Sequence, residues 1–327
     1  MRTLQGMTAS KSKISGTLVA FFLLAVLPPL FPYFLADHSY WLTILTQMLI
    51  FAVLAMSLNI LMGYTGLPSF GHAGFFGASA YIVAILGTRY QVGFWGCFGS
   101  GLLFATAIAA LFGLLVAHSG GVYFLMITLA LGMVIWGLAF RWVTMTGGDN
   151  GIAGIPRPDL GLPFSLNDPV VFYYFTLIFF FLVFFLIYIF IRSPFGQSLM
   201  GIRESESRMR ILGYNTWLHK YLSYVIAGMF GGISGILWAY YNGFVSPMDV
   251  ELTASFEVFL MVILGGPGTL AGPAIGAGIL VFLKNFLSAY THRWLLILGA
   301  VYILAILYAP GGVMELGKRF VRRKEGE

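Results

Sequence analysis

The sequence predicts an all-α polytopic membrane protein: one helical bundle of about ten transmembrane segments, some of them broken, with both termini cytoplasmic. Three observations carry this. Hydrophobic residues make up 59% of the 327 and charged ones only 9%, with a mean hydropathy of +0.89, beyond what a soluble core needs. Apolar runs recur at the ~20 residues that a helix needs to cross a hydrocarbon layer of ~30 Å. Basic residues gather at the ends of runs and in the tails, the pattern that orients a chain in a membrane rather than one that tracks nucleic acid, which the net charge of +6 could otherwise suggest.

In order, spans are read at 14–35, 41–63, 94–117, 122–142, 170–191, 221–241 and 293–309, with shorter or broken ones at 73–88, 254–264 and 272–289. The first follows Arg2, Lys11 and Lys13 and contains Pro28 and Pro29. At 22 residues it exceeds the core of a secretory signal and reads as a retained span. The pair at 254–264 and 272–289 fits either two crossings or a re-entrant hairpin, because irregular backbone at membrane depth must be covered by protein or water. Thirteen of the 18 Lys and Arg residues lie in 1–13, 192–220 and 318–324, which makes those segments, the basic tail 317–327 included, cytoplasmic. The five aspartates, Asp37, Asp149, Asp159, Asp168 and Asp249, then fall outside, and ten spans close the parity. Cys97, the sole cysteine, is read as a small packing residue.

Two segments depart from ordinary spans. Asn59 to Gly77 carries Gly63, Gly66, Gly71, Gly74 and Gly77 around Pro68, which implies unwound backbone, and Leu264 to Gly278 repeats the theme with Gly266 and Gly268. Paired interruptions in two halves of a membrane protein mark a translocation path, while small residues at helical spacing also let helices approach closely. Asn59, Gly63, Gly66, His72, Glu257, Gly266 and Gly268 are the path candidates. His72, Glu257 and Lys284 are the ionisable residues nearest membrane depth, where an unpaired charge is costly. Alternatively, His72 satisfies loosened carbonyls and Glu257 caps its helix at an exterior mouth. The outer loop 143–169 is rich in turn residues and reads either as a partner surface or as a solvated connection.

The polar interruption 193–220 is more specific. Ser193 before Pro194 forms a helix start and Gly213 with Asn215 a stop, so one helix of about 18 residues, or two short ones, fits. Phe195, Leu199, Ile202, Met209 and Leu212 form its apolar stripe, and Arg203, Glu204, Ser207, Arg208 and Arg210 point mostly away, offering charges of both signs to a soluble partner. No HExxH, CxxC or GxSxG motif occurs, and no pair of the five histidines has metal-ligand spacing, which argues against a membrane-embedded enzyme. Gly312 to Lys318 imitates a phosphate-binding loop, but Arg319 stands where a magnesium-binding hydroxyl belongs. Few buried ionisable residues argue against an ion-coupled transporter.

From Trp41 to Leu316 the chain resembles the branched-chain amino-acid permeases of bacterial ABC importers, the LivM type, with urea- and amide-importing relatives. The likeness rests on NILMGYTGLPSFGHAGFFGASAY at 59–81, YFLMITLALGMV at 123–134, TGGDNGIAGIP at 146–156, SPFGQSLMGIRESESRMRILGYN at 193–215, GFVSP at 243–247 and FEVFLMVILGGPGTLAGPAIGA at 256–277. The resemblance implies an inner-membrane permease that binds no cofactor itself and pairs with a second, LivH-like permease. It further implies two cytosolic ATPases that use ATP and magnesium, a periplasmic binding protein and surrounding lipid, but no nucleic acid. Within 193–220 it implies ATPase coupling through Arg203, Glu204, Glu206, Arg208 and Gly213, although Ser207, Arg208 and Met209 depart from the small alanines usual after the acidic pair.

Overall fold

In the computed structural model, the described residues are 38–158, 165–291, 293, 296, 297, 299, 300, 302, 303, 307 and 311–315. The spans read at 14–35 and, in large part, at 293–309 lie outside them, as does the basic tail. The described elements are α1 (His38–Asn59), α2 (His72–Arg89), α3 (Phe94–Val116), α4 (Gly121–Arg141), α5 (Val143–Thr146), α6 (Pro169–Arg192), α7 (Pro194–Glu204), α8 (Glu206–Ile211), α9 (Thr216–Asn242), α10 (Leu252–Gly265) and α11 (Gly272–Tyr290). Two short strands, β1 (Ile152–Ala153) and β2 (Phe244–Val245), pair antiparallel.

The helix starts follow from capping chemistry. Asp168 accepts from the Val170 N–H at 2.9 Å, Ser193 from Gly196 at 3.2 Å and Asn215 from Leu218 at 3.1 Å, with Pro169 and Pro194 at the first helical positions. Six helices among the described residues are long and apolar enough to cross a membrane, and α1 and α9 are the central ones. Their apolar windows are 78% and 72% buried, against 28% for α3, α4 and α6. Those three turn Leu103, Leu111, Met126, Val134, Ile178 and Phe185 outward, as helices facing lipid or another subunit do.

Between helices in lipid, close approach and interhelical hydrogen bonds replace hydrophobic drive. Helix α9 is built for this, because a Cβ on Gly235 would stand 1.9 Å from the Phe76 carbonyl and one on Gly228 2.4 Å from Ala109. Ser79 donates to the Gly232 carbonyl at 2.8 Å, and Ser234 to that of Ile50 at 2.9 Å, which locks α9 to α2 and α1.

The segments read as lying on one side of the membrane come together. At one end, the hook end, Trp217 donates to His118 at 3.2 Å and Lys220 to the Ser119 carbonyl at 3.1 Å, which brings 193–220 onto the α3–α4 turn. At the other, the ribbon end, β1 pairs with β2, the Gly154 N–H donates to the Gly243 carbonyl at 3.0 Å, and Arg89 reaches the Thr144 carbonyl at 2.7 Å. The loop read as a partner surface or a solvated connection is therefore, over 143–158, folded onto the bundle. Segment 246–250 is held by Asp249, which accepts from the Ser246 N–H at 2.8 Å and from the Trp238 indole at 2.9 Å.

Helix α10, at 14 residues or roughly 21 Å, is shorter than the hydrocarbon layer. Its first turn starts inside the bundle, where Ser255 Oγ accepts from the Ala73 N–H at 3.1 Å.

Candidate functional site

The unwinding expected over Asn59 to Gly77 is confined to residues 66–71, after a π-helical turn. Helix α1 continues as a π-helical turn, Ile60–Thr65, which Gly66 ends in the left-handed region at φ 76° that favours glycine; from His72 the backbone is helical again. The turn leaves its last carbonyls without helical donors, that of Gly63 among them. The Gly66 and Leu67 N–H groups both bond to the Leu61 carbonyl, and Pro68 has no N–H, so the Gly63 carbonyl lacks a donor from the next residues of its own helix.

The second break is seated against the first. After α10, Gly268 at φ 81° turns the chain, and the Asn59 amide grips the turn: Oδ1 accepts from the Gly268 N–H at 2.9 Å and Nδ2 donates to the Thr269 carbonyl at 2.8 Å. Gly63 has no room for a side chain, since a Cβ there would lie 2.4 Å from the Gly268 nitrogen.

Arg203, from the last turn of α7, lies across this junction. Its guanidinium donates to the stranded Gly63 carbonyl. Its stem runs over Gly66, where a Cβ would come within 2.8 Å of Cγ, and its tip lies 2.8 Å from where a Cβ on Gly268 would stand. A cation here meets the negative ends of two helices, α1 with its π turn and α10. Arg203 is exposed, as expected, and its head reaches back from the surface of the hook to the stranded carbonyl.

The hook is two helices rather than one of about 18 residues. Ser205, in extended conformation, stops α7 and caps α8 by accepting from the Arg208 N–H at 3.3 Å. The break swings α8 outward, so Leu212, expected on the buried stripe, is 66% exposed beside an 86% exposed Ile211. Phe195, Leu199 and Ile202 keep their places against the bundle, and Met209 packs over Gly201. Glu204 and Arg208 face solvent, and Gly213, at φ 89°, closes α8.

Glu206 turns inward to a buried cation that the sequence reading did not single out. Lys220 Nζ is 3.1 Å from Glu206 Oε1, and the same carboxylate accepts from Thr216 at 3.2 Å and Arg210 at 3.0 Å. Burial alone would raise the Glu206 pKa, but Lys220 with Thr216 and Arg210 outweighs it and holds the carboxyl below the usual range. An acid and a base of opposite sign bracketing one loop were the available signal.

Of the remaining path candidates, Gly266 caps α10 at φ 108° on the turn that Asn59 grips, whereas His72 and Glu257 lie apart from this junction. His72 is fully buried against α1 and α9, its Nε2 2.7 Å from Ser57 Oγ. Ser57 Oγ also lies 2.6 Å from the Leu54 carbonyl, and His72 Nδ1 has no hydrogen-bond partner among the described residues. Glu257 lies within α10 and pairs with Lys284 at 2.8 Å, rather than capping the helix. Next to that pair on α11, Asn285 donates to Gln47 of α1 at 3.1 Å. Among the glycines, Gly63, Gly66 and Gly268 meet Arg203 or each other, whereas Gly71, Gly74 and Gly77 pack on Thr128, Ile135 and Val250. Among the described residues no group of three or more His, Cys, Asp or Glu side chains could hold a metal ion.

Known proteins resemble this chain over most of its length. It is 30% identical over 305 residues to the high-affinity branched-chain amino acid transport system permease protein LivM of Escherichia coli K12, covering 86% of this chain and 72% of that protein. It is 25% identical over 316 residues to a probable LivM of Methanocaldococcus jannaschii, covering 81% and 90% of the two chains. The E. coli permease LivH is 30% identical over 129 residues, 38% of this chain and 42% of that one. No solved structure matches. Residues 40–307, which hold both glycine breaks, the hook and the ribbon, match the family described as branched-chain amino acid transport system / permease component, and the chain belongs to that family.

Proposed function

We propose that this chain is the membrane-spanning permease subunit that moves branched-chain amino acids through an ABC importer of the bacterial inner membrane. It crosses ten times with both termini in the cytoplasm, works beside a LivH-like second permease, receives solute from a periplasmic binding protein at the ribbon end, and is driven by two cytosolic ATPases. The observation that carries this reading is the seating of the polar α7–α8 hook directly on the two broken segments, through Arg203. A force applied to the hook reaches the breaks without an intermediate element. The exposed tip, with Ile211, Leu212, Arg208 and Glu204, is the face offered to an ATPase. Closing of the ATPase pair on ATP and magnesium draws the hooks together and shifts the bundle between outward-open and inward-open packings, a rigid-body form of alternating access. The breaks border the path, where free backbone groups receive a zwitterion.

The test is reconstitution of the chain with its second permease, ATPases and binding protein in liposomes. The expected result is leucine uptake that requires ATP and each component. Uptake by the lone chain driven by an ion gradient would overturn the mechanism, and uptake of urea without leucine would overturn the substrate.

A further inference from the structure

We infer that Arg203 is the latch of a gate at the hook end, whose two sides are the π turn 60–66 and the α10–α11 turn 266–269. The inference rests on the permease reading and gives the exposed Arg203 a role at the seam between hook and bundle rather than in ATPase contact. Three observations converge. Pro68 and the doubly used Leu61 carbonyl leave the Gly63 carbonyl open, and the guanidinium fills it. The same side chain lies over Gly66 and against Gly268, so a Cβ at either position would run into it. Arg203 thus bonds the first side and packs on the second, while among the described residues the hydrogen bonds that reach the second side come from Asn59, which holds Gly268 and Thr269 from the α1 side. Asn59 belongs to the bundle, but Arg203 belongs to the hook, and Ser205 lets α7 and α8 pivot. A hook displaced by its driver takes the guanidinium with it, returns the Gly63 carbonyl to an unbonded state, and leaves the turns held by Asn59 alone. Arg203 is thus a positioning residue for the gate and touches no solute.

The experiment uses the chain in inverted membrane vesicles with its partners, in a Cys97→Ser background carrying Thr269→Cys as reporter. A membrane-impermeant maleimide reads the opening of the turn. With Arg203 in place labelling is slow; Arg203→Gln raises its rate about tenfold, uncouples uptake from ATP hydrolysis and leaves co-purification of the ATPases intact. Arg203→Lys, which keeps the cation but loses the planar fork, gives an intermediate rate and serves if the Gln variant fails to insert. An unchanged labelling rate in both variants overturns the latch. Loss of ATPase co-purification at an unchanged rate also overturns it and makes Arg203 a docking residue. Failure of the unmodified chain to recover any ATPase strikes at the permease reading instead, while the labelling rate still decides the latch.

Discussion

Asn59 and Gly268 stand 209 residues apart in the chain and 2.9 Å apart in space, side-chain oxygen to backbone nitrogen. One amide therefore joins the break that follows α1 to the break that follows α10, and its own nitrogen completes the grip on Thr269.

Replacing Asn59 by alanine removes both bonds and strands the Gly268 N–H and the Thr269 carbonyl, at about 1–3 kcal/mol for each group left unpaired. We expect a lower unfolding temperature in detergent and at least a tenfold loss of uptake. Asn59→Asp keeps the acceptor for Gly268 but turns an oxygen toward the Thr269 carbonyl, so it falls no closer to wild type than alanine does. Uptake and thermal stability equal to wild type in Asn59→Ala would remove the clamp from the account.

Glu206 and Lys220 make a pH-sensitive seam between hook and bundle. The folded-state pKa of Glu206 is depressed, so the stability it contributes is present above the ordinary carboxylate range and fades as pH falls through its lowered value. Wild-type stability should drop on that acid side, and Glu206→Gln should flatten this part of the profile. The single change leaves the Lys220 ammonium buried without its carboxylate; Glu206→Gln with Lys220→Met should be more stable than Glu206→Gln alone. A double variant no better than the single would show that the pair is not coupled.

At the Glu257–Lys284 pair, Lys284→Met leaves a carboxylate in apolar surroundings, and we expect the amount of protein recovered in membranes to fall severalfold. Glu257→Gln with Lys284→Met should restore it. If that double variant inserts normally yet still fails in uptake, the pair serves the path as well as the fold.

Gly235→Ala drives a methyl to 1.9 Å from the Phe76 carbonyl, whereas Gly99 has nothing within 4 Å of its would-be Cβ. Gly235→Ala should abolish stable expression and Gly99→Ala should leave it unchanged, as fluorescence-detected gel filtration would reveal. Equal behaviour of the two would contradict the packing of α9 on α2.

The sequence declared what local chemistry decides. Ser193–Pro194 started α7 and Gly213 ended α8 where expected, since caps depend on neighbours in the chain. The glycine runs marked both breaks for the same reason. What the chain did not disclose were partners across distance: an amide such as Asn59 needs a donor and an acceptor, and nothing local says that Gly268 and Thr269 provide them. Helical periodicity placed Arg203 outward, where it lies, but could not foresee that its head reaches a carbonyl on another segment, stranded by Pro68. Ser205 was not singled out, although a serine followed by an acid is itself a helix-start signal and so could have revealed the break. Lys220 was counted among the basic residues of the loop, and burial withdrew it from that surface.

The small ladder of β1 and β2 has a consequence at the ribbon end. By joining Ile152 to Val245 and Ala153 to Phe244, it welds the stretch after α4 to the stretch after α9. The two cannot travel separately: tilting α9 drags the 143–158 cap with it, and anything that grips the cap acquires a lever on the most deeply embedded pair of helices. A force on that face and a force on the hook would bear on the same rod, α9, from its opposite tips.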